Sequence, residues 1–442
     1  MTNRWNRIRD SFWFLPAVLS GLAVVIAETL IAVDRTLGDA DLGPFTFLVN
    51  RIGEAGSRDV LGSIAGSVLG VAATSFSITI AVLATASSTY GPRLVRNFMA
   101  DRGNQFVLGV FAATFLYCLL VLRSIRETGG DYFVPHLAVN LAVLLAVASI
   151  GVLVYFINHI AASVQVHTLA RRVRLDLVAA IDLLYPEELG SAPEEVGTGG
   201  HDVPHGLRIE GVTVPATRPG YVNRVADERL LDLARAHDLV LCLQVQPGSH
   251  LVAGQGVALA WPPDRVTDEV RDRIAACFAT AESRTPHQDV DYAVLVLEEM
   301  AVRALSPSTN DPYTAINALD DLTVGLVRLV GRPLPSAHRY DDSGELRIVA
   351  TRVVPVQLVD RVFDAMRWHA TGHPSVLHRT LDLAGSVAAA SVHADIGPRL
   401  VEHARRIVEA YERSSPQRCD LDELRRHAAE LEAAVVGRTP VH

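Results

Sequence analysis

Apolar residues crowd the first third of the chain and thin out after about residue 165. A bilayer core takes about 20 apolar residues of helix. Four runs meet that length or come close to it, at about 12–33, 61–90, 105–122 and 134–157. The second run differs from the other three. From Val60 to Pro92 it holds no charged residue, yet small or hydroxyl side chains recur at Ser63, Ser67, Gly70, Thr74, Ser77, Ala81, Thr85 and Ser88. Steps of three and four place them along one helical face. Gly62, Gly66 and Gly70 form two overlapping G-x-x-x-G units beside that face. A helix facing only lipid gains nothing from such a face. One reading is a packing seam, within one molecule or between copies, where small residues let backbones approach and hydroxyls bond across the contact. The other is a pore lining, where hydroxyl dipoles around an axis face water.

Beyond the fourth run the period changes. Ile160, Val164, Leu169, Val173, Leu177 and Ile181 mark an amphipathic stalk helix over 161–185. Residues 186–206 are acidic, rich in Gly and Pro, and without periodicity, as expected of a linker. Over 207–262 short β-type runs at 208–214, 220–224, 239–246 and 257–261 surround one helix at 227–237. The stretch LCLQVQPGSHLVAGQGVALAWP looks like half of a barrel-sandwich hybrid of the biotinyl-lipoyl type, without the acceptor lysine. The remainder, 263–442, reads as mainly helical, with helices at 264–283, 288–305, 312–330, 356–369, 377–390, 399–414 and 420–436 and a strand at 346–354. The expected architecture is therefore a membrane protein. Four transmembrane α-helices precede an α+β cytoplasmic region with a small β-barrel-like unit and a helical C-terminal part.

Charge orients this arrangement. Arginines exceed acids at the N-terminus, in the 93–104 loop and after the fourth run, where Arg171, Arg172 and Arg174 follow. The positive-inside rule puts all three segments, and hence both termini, in the cytoplasm. All 40 basic residues are arginine, which excludes a P-loop lysine, a Schiff base and any lipoyl- or biotinyl-lysine. The net charge of -9 gives no reason to expect nucleic acid. Cys118, Cys242, Cys277 and Cys419 form no C-x-x-C and read as core thiols of a reducing compartment.

Several residues stand out as candidates. Glu28 is an acid well inside a span, where a charge needs water, a partner or a proton. Arg93, Arg96 and Arg102 form a cytoplasmic collar that either attracts anions or anchors topology. In ALSPSTNDPYTAIN, Asp311 is placed as an N-cap with Pro312 at N1 and Thr314 at N3. Arg303, Ser306, Asn310, Asp311 and Thr314 also form a possible ligand loop at that helix start. Thr285 to Gln288 reads as a capping box. The histidine pairs His201/His205 and His369/His373 have no matching carboxylate set, so no metal is expected. No nucleophile–base set or phosphate loop is present in the sequence, and neither an enzyme nor a cofactor is expected.

The run RDVLGSIAGSVLGVAATSFSITIAVLATASSTYGPRLVRNFMADRGNQFVLGVFAATFLYCLLVLRSIR resembles the membrane core of the bacterial predicted membrane protein family called domain of unknown function 2254. RTPHQDVDYAVLVLEEMAVRALSPSTNDPYTAINALDDL resembles that family's second signature, and the stretch 220–261 also fits. Ser308-Thr309 departs from the Gly-Ile that the family usually carries there. The resemblance implies the architecture and no established activity. Two functions follow from the residues. One is a homo-oligomeric channel or channel-like transporter of ions, with the second helix at its axis. The other is a membrane-anchored scaffold or sensor that binds a ligand or protein near Arg303, Asn310 and Asp311.

Overall fold

The computed structural model describes residues 12–37, 53–90, 101–128, 131–163, 166–185, 203–350 and 353–437. The chain divides into two compact units, 1–169 and 170–442.

The first unit holds four helices, α1 (Phe14–Leu37), α2 (Glu54–Tyr90), α3 (Arg102–Ser124) and α4 (His136–Ser163), with a short hairpin of β1 (Arg126–Thr128) and β2 (Asp131–Phe133) between the last two. Each helix is long and apolar enough to cross a membrane. At 37 residues α2 runs about 55 Å, longer than a hydrocarbon core, at 1.5 Å per residue. The hub is α3, which packs on the other three helices. Twice as much of its apolar window is buried as of any other span. One core joins Ala23, Ala27 and Ile31 of α1 to Tyr117, Cys118 and Val121 of α3 and to Ala138 and Ala142 of α4. A second joins Val68, Val107, Phe111, Phe156 and Ile160.

Polar groups pin these helices at defined points. Asp34, near the end of α1, accepts from the backbone N–H groups of Leu137 (3.2 Å) and Ala138 (3.1 Å) and so satisfies free donors at the start of α4. The buried Tyr117 hydroxyl donates to the Ala138 carbonyl at 2.9 Å. Contact between α1 and α3 depends on Gly109, where an added Cβ would lie 3.1 Å from Pro16 Cα and 2.7 Å from Leu19 Cδ1.

The amphipathic helix expected over 161–185 is α5 (Val166–Leu184), most of which belongs to the second unit. Leu177 and Ile181 are fully buried. A Cβ on Gly325 of α10 (Pro312–Val330) would stand 2.2 Å from Leu177 Cδ2. Asp182 pairs with Arg328 at 2.6 Å, and Arg174 pairs with Asp321 at 3.2 Å.

After α6 (His205–Ile209), the chain forms β3 (Val212–Pro215), β4 (Gly220–Val225), α7 (Asp227–Ala236), β5 (Val240–Leu243), β6 (His250–Leu251), β7 (Gly256–Trp261), α8 (Asp268–Ala275) and β8 (Phe278–Ala281). Then come α9 (Val290–Ala304), α10, β9 (His338–Tyr340), β10 (Leu346–Val349), α11 (Pro355–His369), α12 (Pro374–Ala390), α13 (Ile396–Arg413) and α14 (Arg418–Val436). The strands make two open sheets, β3-β7-β5-β10-β9 and β6-β4-β8. No closed barrel occurs among the described residues. Strands on both sides of residue 262 contribute, since β8 pairs with β4 and β10 pairs parallel with β5.

Three local expectations give way. The run at 208–214 opens on a helical turn, and its strand begins only at Val212. The helix expected over 264–283 ends at Ala275, and Phe278–Ala281 pairs with β4 instead. Long-range pairing there outweighs the helix propensity of its alanines. Thr285 makes no capping bond. Its hydroxyl meets Asn223, while Gln288 Oε1 accepts from the Val225 N–H at 3.1 Å. The N-cap of α9 is Asp289, which accepts from the Tyr292 N–H at 2.9 Å. The buried Asp289 carboxylate is also held bidentately by Arg284 at 2.7 Å per bond, an interaction a threonine hydroxyl cannot match.

Two predictions follow from this packing. Gly109→Leu should overpack the α1–α3 contact and cost about 1–3 kcal/mol in detergent-solubilised protein, read as a lowered Tm, whereas Gly62→Leu, with nothing within 4 Å, should not lower it. Asp341, between β9 and β10, provides the second test. Burial would raise its carboxyl, but bonds from Ser343, Arg347 and the Glu345 N–H outweigh that and hold it well below the usual carboxylate range. A depressed folded-state value contributes stability above the unfolded carboxylate's titration, near pH 4, and loses it as pH falls further. Asp341→Asn should therefore be less stable than wild type at pH 7, with the difference in Tm shrinking below about pH 4.

Candidate functional site

Ser63, Ser67, Gly70, Thr74, Ser77 and Thr85 are all exposed on α2. They lie on the opposite side of the helix from Leu61, Ala65, Val68, Ser75 and Thr79, which are buried. A Cβ added to Gly62, Gly66 or Gly70 would meet nothing within 4 Å. The face is thus not used to pack α2 against α1, α3 or α4. Ser88 lies within α2, and its side chain is outside the described residues. Two threonines show how the hydroxyls are held: Thr74 Oγ1 donates to the Gly70 carbonyl and Thr85 Oγ1 to the Ala81 carbonyl, both at 3.0 Å. With each hydrogen turned into the helix, the oxygen offers only lone pairs to its surroundings.

Glu28 has a partner. Arg123 of α3 approaches it to 3.5 Å, with both side chains more than half exposed. In a lipid-facing setting this pair needs no third group to balance charge. Of the arginine collar, Arg102 is the first residue of α3 and is exposed; Arg93 and Arg96 lie outside the described residues.

At the start of α3 is a constellation that the sequence reading passed over. Asp101 Oδ1 accepts from the N–H groups of Gly103 (2.7 Å) and Asn104 (3.3 Å) and contacts His159 Nε2 of α4 at 2.9 Å. Gly103 is required there, because a Cβ would stand 2.6 Å from that same nitrogen. One turn further in, Asn104 is 5% exposed, and neither of its amide atoms has a hydrogen-bond partner among the described residues. It lines a cavity of about 10 Å³ with Ser75, Thr79, Phe76 and Phe156, about the size that holds one water. Asp101 two residues before Gly103 is a recognisable N-cap signal, but nothing near it in sequence points to His159.

In the second unit the loop at 303–314 is internally engaged. Arg303 pairs with Glu299 at 3.0 Å, one turn back on α9. Asp311 caps α10, accepting from the Thr314 N–H at 3.1 Å and the Thr314 hydroxyl at 2.6 Å. Ser306 exchanges bonds with Ser308 and Thr309, and Asn310 takes a left-handed φ of 47°. The chain's own carboxylate thus occupies the place at this helix start that an external anion would take.

Asp101→Ala should remove both the cap and the α4 contact, and lower stability by about 1 kcal/mol or more. Asp101→Asn keeps a good N-cap and should recover most of the loss in Tm of the solubilised protein.

The chain matches the family described as predicted membrane protein (DUF2254) over residues 9–385. An uncharacterized protein of Mycobacterium bovis and one of Mycobacterium tuberculosis are each 31% identical to it over 355 residues, covering 78% of this chain and 66% of theirs. The chain thus aligns with slightly less than two thirds of the length of these relatives. No solved structure matches it. Its four apolar helices and the match across nearly its whole length place this chain in the DUF2254 family of predicted membrane proteins.

Proposed function

We propose that this protein is an oligomeric, channel-type transport protein of the bacterial inner membrane. The observation that carries the reading is the exposed hydroxyl and glycine face of α2, turned away from every helix it packs against. Lipid offers such a face no partner, whereas a second copy can pack on its glycines and an aqueous axis can solvate its oxygens. Because the Thr74 hydrogen is already given to a backbone carbonyl, its outward oxygen acts as an acceptor and suits a cation better than an anion. The arginine bias of the flanking segments puts both termini and the second unit in the cytoplasm in this reading.

The test is conductance of the purified full chain in liposomes. Wild type should conduct monovalent cations, and Thr74→Leu should abolish the current by placing a branched apolar side chain on the axis. Leu69→Ala, an exposed residue on the side of the helix away from those hydroxyls, should leave it unchanged. Equal currents in wild type and Thr74→Leu would overturn the pore assignment. So would silence of the wild type under voltage, tension and salt gradients.

A further inference from the structure

The last helix, α14, packs on α12 and α13 with little apolar contact. Of its 19 residues Leu421, Leu424 and Leu431 are buried, whereas α13 buries 7 of 18. His427 shares the inward stripe of α14, three residues after Leu424 and four before Leu431. There it meets His378 of α12. The two Nδ1 atoms stand 3.1 Å apart, with the ring planes 16° from parallel and the ring centres 5.4 Å apart. The nitrogens thus face each other between the rings, at the distance of an N–H···N hydrogen bond.

Such a bond holds one hydrogen between two nitrogens. Asp382, one turn along α12 from His378, lies 3.3 Å from His427 Nε2. A carboxylate only accepts, so neutral His427 carries its hydrogen on Nε2 and offers Nδ1 as a lone pair. His378 is then the donor. One further proton, on His378 Nε2, leaves this order intact. A second does not: His427 Nδ1 must then carry a hydrogen too, and two cationic N–H groups point at each other. Among the described residues no other charged group pairs with either ring. Arg379 of α12, 3.6 Å from Asp382, is also held by Asp320 of α10. Between α13 and α14, Glu412 pairs with Arg425 and Arg405 with Glu432. On α11, Asp360 pairs with Arg399 and Asp364 with Arg367. Glu423, Arg426 and Glu430, near His427 on α14, are exposed.

We propose that His378 and His427 form an acid-sensitive latch between α12 and α14. The latch is closed while one hydrogen lies between the two rings. It opens when both rings are charged, in the range where free imidazoles gain a proton, around and below about pH 6.5. Because three buried leucines supply the apolar contact of α14, loss of the latch loosens that helix while the packing of α9 and α10 persists. Asp382 acts as a positioning residue by fixing which nitrogen of His427 is bare. This goes beyond the proposed conduction, because the latch lies wholly in the second unit and is independent of α2.

Amide hydrogen exchange of the detergent-solubilised full chain tests it. Wild type is compared with His378→Leu and His427→Leu at one pH at a time, so that the intrinsic exchange rate cancels. At about pH 7.5, where imidazole is neutral, the amides of α14 should exchange about three-fold or more faster in either variant than in wild type. At about pH 5 all three proteins should exchange alike there, and the amides of α9 and α10 should match at both pH values. His378→Asn, whose amide both donates and accepts and does not titrate, should keep α14 protected at both. The three variants are independent, so the test survives the failure of one to fold. Equal exchange of wild type and the leucine variants at the higher pH would overturn the latch. So would a wild-type advantage that persists undiminished at the lower pH, because titration would then play no part.

Discussion

Lipid gives two apolar helices no hydrophobic reason to associate, because the tails around them are as apolar as the helices themselves. Whatever holds the first unit together must come from close approach and from polar bonds that have no better partner. That requirement explains why α3 is the hub. It carries Gly109, which brings its backbone against Pro16, and Tyr117, whose hydroxyl reaches a carbonyl at the start of α4. Asp34 and Asp101 do the rest by satisfying helix N-termini that would otherwise leave N–H groups without acceptors. Against that background the glycines of α2 are informative by contrast, since they permit close approach and none of the described residues makes use of it.

The second unit solves a different problem with a single type of cation. With no lysine in the chain, every fixed positive charge is a planar fork able to hold a carboxylate by two bonds. The structure uses that capacity repeatedly. Arg328 grips Asp182 at 2.6 and 3.0 Å, Arg399 grips Asp360 at 2.6 and 3.1 Å, and Arg284 grips Asp289. The fully buried His403 also meets Asp360, at 2.7 Å, between α11 and α13. The pairs made by Arg328, Arg399 and His403 tie elements far apart in sequence and give the packing an orientation that apolar contact alone leaves loose.

What was legible in the sequence was local. The four spans, the cap at Asp311 and the strand expected over 346–354, seen as Leu346–Val349, each rest on neighbours a few residues apart, and each could be read from period or spacing. The same reasoning missed β8, because the four residues FATA, between Cys277 and Glu282, carry no pattern strong enough to reveal a partner more than fifty residues away in β4. It expected a small β-barrel-like unit within 207–262; the described strands of the second unit make two open sheets, the larger extended by strands from the far side of two helices. Glu28 was visible as an acid in a span, but Arg123 was not visible as its partner. The juxtaposition at one end of the larger sheet was the least accessible of all. Asp238, Trp261, Arg265 and Arg347 are unremarkable where each stands, and only the sheet register brings them to one strand end.

The parallel pairing of β10 with β5 joins residues roughly a hundred apart. Parallel neighbours need a long crossover, and here the crossover includes β7, α8, β8, α9, α10 and β9. During synthesis the central strand therefore has one open edge until about residue 350 has left the ribosome. Throughout that interval the unpaired side of β5 is exposed backbone with acceptors and donors for any passing strand. A nascent chain stalled between α10 and β10 would present an unfinished sheet rather than a smaller finished domain.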